Sequence, residues 1–464
     1  MVKRFLSCCM LVVLLVVSLA GFPEIGYAAT SVTANFSVNN GTGYANNFGG
    51  AVNQLDSPAD VDTLRSIGIN FMRRDAYLVQ IVPNTTVADY KNNVGNVADP
   101  STWNWSNYDW VDTYHNKGIK IMLIMSYNVP WLSHSNTMHG IPKDWDVYQD
   151  IIKKIYAHFK DKVDYVEIWN EPDLNSFLDR TNSGYANNLA AYKDIYYYAA
   201  SGIRSVDSSI PIGGPATSSQ NATNWADSLL NDSRISNNIN FLSYHYYRQN
   251  PDGEPQVTSW RNVAVAHGKP DMPIFVTEWN YSPSYTKIPM NNESVDAIPY
   301  LAQRLSDFIN ARANGNGYFA FNKGTPGTDD FFSLYADGTL TPKMTVYRLM
   351  SKQLGLGDGD FALKGLSWLN GSATVLGGAA INASGNPVAW IVNTSGNGDN
   401  ANVTFSGLTP GVQYQADLYE ASRWQFASAI RQSFTFTATS GSGSISFWLP
   451  YKCAVGIKLT PIVP

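Results

Sequence analysis

The sequence predicts a (β/α)8 barrel followed by an all-β sandwich. Two observations carry the barrel. Short apolar runs alternate with amphipathic helical stretches over residues 45–354, and eight such pairs fit a closed barrel. A doubly wound open sheet would need a Gly-rich phosphate turn after its first strand, and Gly49-Gly50 lacks that spacing. A third observation carries the sandwich. Past Gly355, Gly357 and Gly359 the helical periodicity stops, and strand-like runs with Asn, Gly and Ser turns fill residues 355–464.

The barrel strands are read near residues 48–52, 69–75, 119–126, 163–170, 211–214, 241–247, 274–279 and 318–321. Each is a short apolar run bounded by polar or turn residues. The first helix starts at Ser57, a side-chain cap, with Pro58 in its first turn, and stops near Gly68. The second is expected over 105–116, before Gly118. The third, 147–160, repeats Ile151, Ile152, Ile155 and Phe159 at helical spacing. Further helices are expected over 186–205, 223–230, 257–266, 295–313 and 342–354. The sandwich strands are read at 373–376, 387–392, 402–405, 414–419, 433–437, 444–448 and 455–459. Residues 33–38, within the N-terminal segment 30–44, alternate in the same way and are a candidate to pair with them.

The N-terminus reads as a processing signal. Lys3 and Arg4 precede the apolar run Leu11 to Val17, and small residues follow at Gly26, Ala28 and Ala29. The run is too short to span a membrane comfortably, so residues 1–29 are expected to be a cleaved export signal and the protein to be secreted. Leu6-Ser7-Cys8 lacks the preceding apolar stretch of a lipoprotein box. Cleavage would remove Cys8 and Cys9 and leave Cys453 alone, which excludes an intrachain disulfide. No Cys/His cluster has zinc spacing, and no cofactor or metal is called for.

Composition narrows the partners. The 464 residues carry 32 Lys and Arg against 37 Asp and Glu, without basic runs, which argues against nucleic acid and anionic membranes. Hydrophobic residues at 44% suffice for a large core. The 27 Tyr and 13 Trp suit sugar rings, whose C–H faces stack on aromatic systems.

Two strand ends carry the chemistry. Val166-Glu167-Ile168-Trp169-Asn170-Glu171-Pro172 ends strand 4, and Ile274-Phe275-Val276-Thr277-Glu278-Trp279-Asn280 ends strand 7. Side chains at the C-terminal ends of barrel strands face the active site. Glu171 and Glu278 therefore face one another across the mouth, as glycoside hydrolysis requires: one carboxyl protonates the leaving oxygen, the other attacks or stabilises the anomeric centre.

Trp169-Asn170-Glu171-Pro172 and Thr277-Glu278-Trp279-Asn280 resemble the signatures of clan A retaining glycoside hydrolases. The second, with Tyr281-Ser282, is most similar to glycoside hydrolase family 39, which holds β-xylosidases, α-L-iduronidases and bacterial exopolysaccharide hydrolases. The resemblance implies Glu171 as acid/base, Glu278 as nucleophile and Asn170 on the sugar 2-hydroxyl. It implies Arg73, at the end of strand 2, as the charge partner of the nucleophile. His245 and Tyr247 match a His-x-Tyr pattern on strand 6, with the tyrosine hydroxyl on the nucleophile. Strand parity alone puts Arg73 and Asp75 on one face and Arg74 on the other. At strand 8 the chain departs from the family: in place of a tryptophan floor it offers Phe319, Phe321 and Asn322. Trp131, Trp279 and Phe321 are candidate sugar contacts; Trp103, Trp105, Tyr281 and Tyr285 could also line subsites. The reading is a secreted, retaining, metal- and cofactor-independent β-glycosidase acting on an oligo- or polysaccharide. Two alternatives stay open: an endo-glucanase, mannanase or galactanase of another clan A family, or a non-catalytic carbohydrate-binding cell-surface protein. The presence of both glutamates argues against the last.

Overall fold

The computed structural model describes residues 30–51, 55–249, 255–282, 295–325, 332–369 and 374–462. The expected export signal, with Cys8 and Cys9, and Tyr285 lie outside these residues. Among them no helix is long and apolar enough to cross a membrane.

Eight parallel strands close a barrel: β1 Gly49–Ala51, β2 Phe71–Tyr77, β3 Lys120–Ser126, β4 Tyr165–Ile168, β5 Ile212–Thr217, β6 Phe241–Tyr247, β7 Ile274–Asn280 and β8 Gly315–Phe319. The last returns to the first, Gly317 opposite Gly49. The pairing is tight: a Cβ on Gly49 would come within 2.6 Å of the Asn316 carbonyl, so glycine is what lets β1 and β8 meet. Ser57 caps helix Pro58–Ser66 by accepting from the Asp60 amide at 3.2 Å.

Two helices differ from the sequence reading. The second starts later, at Trp110–Asn116, because the residues before it form a packed loop. In that loop the Trp105 indole donates to the Pro100 carbonyl and the ring lies flat on His158, centroids 3.7 Å apart. The stretch 342–354 is a 3-10 turn (Pro342–Met344), one helical turn (Thr345–Tyr347) and a π-turn (Arg348–Gln353). There the Ser351 hydroxyl donates to the Gly68 carbonyl at 2.7 Å, tying the wide turn to the barrel floor.

Inward-facing side chains stack in layers. Phe71, Met122, Tyr165, Phe241 and Phe275 plug the lower barrel. Two residues further along their strands come Arg73, Glu167 and Ser243, then Asp75 and His245. On β7 this alternation breaks. Tyr244 pairs with Val276 but His245 pairs with Glu278, and Asn316 pairs with Val276 but Tyr318 with Trp279. Both neighbours skip a residue, so β7 carries a bulge. The bulge puts Glu278 on the same side as Phe275 and sends Trp279 outward.

The second unit is one sheet folded over on itself. Strand Thr30–Asn35 lies inside it, antiparallel to Phe361–Leu369 and parallel to Asp399–Ser406. Phe361–Leu369 is a strand the sequence reading missed; Gly365 and exposed Leu369 blur its alternation. Two strands at opposite ends of the sheet, Gln432–Thr437 and Ser442–Leu449, close the layers, with Phe436 stacked on Phe405 at 5.7 Å.

Barrel and sandwich share a core. Strand Pro387–Asn393 is buried along its whole length. Ala389 and Ile391 face the sandwich interior, whereas Val388, Trp390 and Val392 join the barrel's outer core. The Trp390 indole donates to Ser306 on helix Ala297–Asn310 at 2.9 Å. A Trp390→Ala substitution is expected to cost about 3–5 kcal/mol and to lower both units in a single denaturant transition. A chain ending at Gly355 should be insoluble. Independent melting of the two units would contradict the shared core.

Candidate active site

The site grows from strand ends. At the end of β4 the backbone enters the left-handed region at Trp169 (φ +68°) and Glu171 (φ +46°), a costly conformation for both residues. Contacts hold it: the Trp169 indole donates to the Phe177 carbonyl at 2.8 Å, and the Glu171 amide donates to the Ala216 carbonyl at 3.0 Å. The turn aims Asn170 and Glu171 into the barrel mouth.

Arg73 is fully buried and spends its guanidinium on three acceptors. Nε donates to Glu167 at 2.6 Å, Nη1 to Glu278 at 2.7 Å and Nη2 to Asn170 at 2.8 Å. Burial by itself would lower its pKa, but Glu167, Glu278 and Asp75 outweigh burial and hold it above the usual value. Glu278 is nearly buried. Burial works to raise its carboxyl, yet His245, Arg73 and the Tyr247 hydroxyl, which donates at 2.7 Å, hold it below the ordinary range. His245 bridges the two acids: Nδ1 lies 2.9 Å from Glu171 Oε1 and 3.4 Å from Glu278 Oε2. Burial depresses its imidazole, but the two glutamates outweigh this and raise its pKa, favouring the imidazolium. One oxygen of Glu171, one of Glu278 and a His245 ring nitrogen all lie within 4.8 Å of one another.

These groups open onto a cavity of about 630 Å³ lined also by Asp75, Tyr77, Tyr127, Leu174, Phe177 and Ser218. Burial raises the pKa of Asp75, despite a hydrogen bond from Ser126. Tyr127 contacts the Asn170 amide at 3.3 Å.

Glu171, Glu278, Asn170, Arg73, His245 and Tyr247 thus converge. Three other candidates do not. Trp279 is fully buried outside the barrel, donating to Asn316 at 2.6 Å, because the β7 bulge reverses its facing. Phe321 packs behind the strands against Gly50 and Tyr347, while Phe319 faces the cavity. Trp131 donates to the Pro83 carbonyl at 3.1 Å and stacks on Tyr90, holding the loop together. Trp103 and Trp105 stack on one another, and Tyr281 packs on Tyr300. Sequence reasoning missed Glu167, Tyr77 and Tyr127. Glu167 did carry a signal: a carboxylate at inward parity in an apolar strand needs a buried cation.

Residues 63–341 match the profile of Glycosyl hydrolases family 39. The chain belongs to this family. A β-xylosidase of Caldicellulosiruptor saccharolyticus is 28% identical over 204 residues, 39% of this chain and 39% of that relative, so the match spans about two fifths of its length. A family 39 enzyme of Xanthomonas axonopodis pv. citri shares the fold, with a TM-score of 0.63 at 16% identity over 95% of this chain and 100% of its own. A glucosidase of Croceicoccus marinus does so with a TM-score of 0.69 at 14% identity, over 94% and 100%.

Removing Arg73 leaves two buried carboxylates facing one another. Arg73→Met is expected to lower the unfolding free energy by about 3–5 kcal/mol at neutral pH. The folded pKa of Glu278 is depressed, so its contribution to stability is present above the unfolded carboxylate pKa and fades as pH falls through the folded one. In Tyr247→Phe the folded pKa rises, so that loss should begin at higher pH. Urea denaturation across the acid range reads both; superimposable pH profiles would contradict the assignment.

Proposed function

We propose that this chain hydrolyses a β-glycosidic bond with retention of anomeric configuration, Glu278 acting as nucleophile and Glu171 as acid/base. The observation that carries it is the short span between the two carboxylates, within 4.8 Å oxygen to oxygen. Retaining glycosidases hold their carboxyls about 5–5.5 Å apart, and inverting ones about 6.5–9.5 Å, to admit a water between acid and sugar.

The environments support the roles. Glu278 accepts from two donors, Arg73 and Tyr247, that favour its anion. Glu171 has neither of these donors; its Oε1 lies 2.9 Å from His245 Nδ1, at the edge of the cavity. In the first step a Glu278 oxygen bonds to the anomeric carbon as the glycosidic bond breaks, and the Glu171 proton passes to the leaving oxygen. In the second, Glu171 takes a proton from water, whose oxygen displaces Glu278 from the opposite face. Asn170, locked by Arg73 and Tyr127, is placed to hydrogen-bond the 2-hydroxyl of the reacting sugar.

The family and the β-xylosidase relative support a β-xyloside or a similar neutral pyranoside as substrate. The N-terminal basic, apolar and small-residue pattern supports export.

Loss of acid and loss of nucleophile separate kinetically. Glu171→Ala should lose about 10²–10⁴-fold on poor leaving groups but retain glycosylation of dinitrophenyl glycosides. Added azide should rescue it and give a β-glycosyl azide. Glu278→Ala should lose activity with every leaving group, and azide rescue should invert. Equal losses across leaving groups, or exchanged azide stereochemistry, would overturn the roles. Full activity of either variant would overturn the site.

A further inference from the structure

We propose that a second cavity, beyond Asp75 and Tyr77, is a sugar subsite on the non-reducing side of the catalytic pocket, holding one more neutral glycosyl unit of the substrate. The inference rests on the glycosidase reading above.

The two cavities adjoin. The catalytic one, about 630 Å³, and the second, about 590 Å³, share Asp75 and Tyr77 as walls. Each is of the size that small ligands occupy. The second lies on the same barrel face, between the end of β2 and the loop before helix Trp110–Asn116.

Direction follows from the roles of the acids. The leaving group must lie beside Glu171, over the loops after β4 and β5, where Leu174, Phe177 and Ser218 line the pocket. Those loops are tied together, the Ser218 amide and hydroxyl both donating to Asp173 at 2.9 and 2.7 Å. Asp75 and Tyr77 end β2, away from that side. A chain that passes them is therefore the part ahead of the scissile bond.

The lining has the chemistry of a sugar site. Tyr108 presents a hydroxyl held by the Tyr77 amide at 2.9 Å, beside Gln80. The side chains of Asn107 and Asp109 are exposed at the cavity and have no hydrogen-bond partner among the described residues, so sugar hydroxyls can meet them. The charges are already matched. Arg74 pairs with Asp56 through both terminal nitrogens, Nη2 at 3.1 Å, and lies over the Trp110 ring at 4.4 Å. With that cation engaged and Asp109 unpaired, the site repels a uronate and accepts an uncharged ring. At the junction stands Asp75, which accepts from the Ser126 hydroxyl and, with Tyr77, walls both cavities.

The test compares nitrophenyl β-glycosides carrying one sugar or two, using xylose, glucose and mannose pairs, in wild type and in an Asn107→Ala/Asp109→Ala double variant. In the series the enzyme accepts, the two-sugar substrate should have the higher kcat/KM by at least about tenfold, with the disaccharide released intact. The double variant should remove about tenfold of that advantage, as expected for two lost hydrogen bonds, while the one-sugar rate stays unchanged. Equal kcat/KM for one and two sugars would overturn the subsite alone, as would stepwise release of monosaccharide from the non-reducing end. A variant that lowers both substrates equally would also overturn it. Cleavage of none of the six substrates would count against the glycosidase reading, and the subsite would fall with it.

Discussion

A single buried guanidinium organises the barrel mouth. Arg73 joins β2 to β4 and β7 through three short, buried hydrogen bonds. A buried cation is tolerated only when its charge is matched and its donors are filled. Glu167 matches part of that charge from below, so Glu278 can sit above it without carrying the whole burden of pairing. Asn170 takes the third donor and is thereby oriented. The apolar plug under this layer sets the height at which polar side chains must begin, and that height is where the strands end.

Much of this was legible in the sequence because barrel geometry is periodic. Strand ends could be located from apolar runs, parity put Arg73 and Asp75 on one face, and the resemblance to the family turned Arg73, His245 and Tyr247 toward the site. The two glutamates stand out because each follows an apolar strand. What parity could not supply was the bulge in β7. Counted from Phe275, strict alternation would turn Thr277 and Trp279 inward and Glu278 away. One extra residue reverses this, and nothing in Val276-Thr277-Glu278 announces it, because a bulge is set by pairing with two neighbours at once.

The aromatics were less legible for a related reason. Trp131, Trp279 and Phe321 all occupy the active end of the barrel by position. A large ring there can face the cavity or fill the space behind the strands, and backbone facing decides which. Phe319 and Phe321 share a parity, but β8 ends at Phe319, so the later ring follows a different course and packs over Gly50. The sandwich shows the opposite case. Pro387–Asn393 reads as a continuous apolar run, and its burial on both faces follows from its place between two cores.

Strand Thr30–Asn35 has a consequence for how the chain can be made. Its terminal residue, Thr30, is bonded by amide and hydroxyl to Asp399, 369 positions later. This strand therefore cannot pair with either neighbour until residues 361–369 and 399–406 have been made. Contacts of such long sequence separation form late, since the loop between them must close first. Until then both Phe361–Leu369 and Asp399–Ser406 present open hydrogen-bonding edges. Closure of this sheet is thus expected after the intervening barrel has been made, because its central strand draws its two partners from the far side of that barrel in sequence.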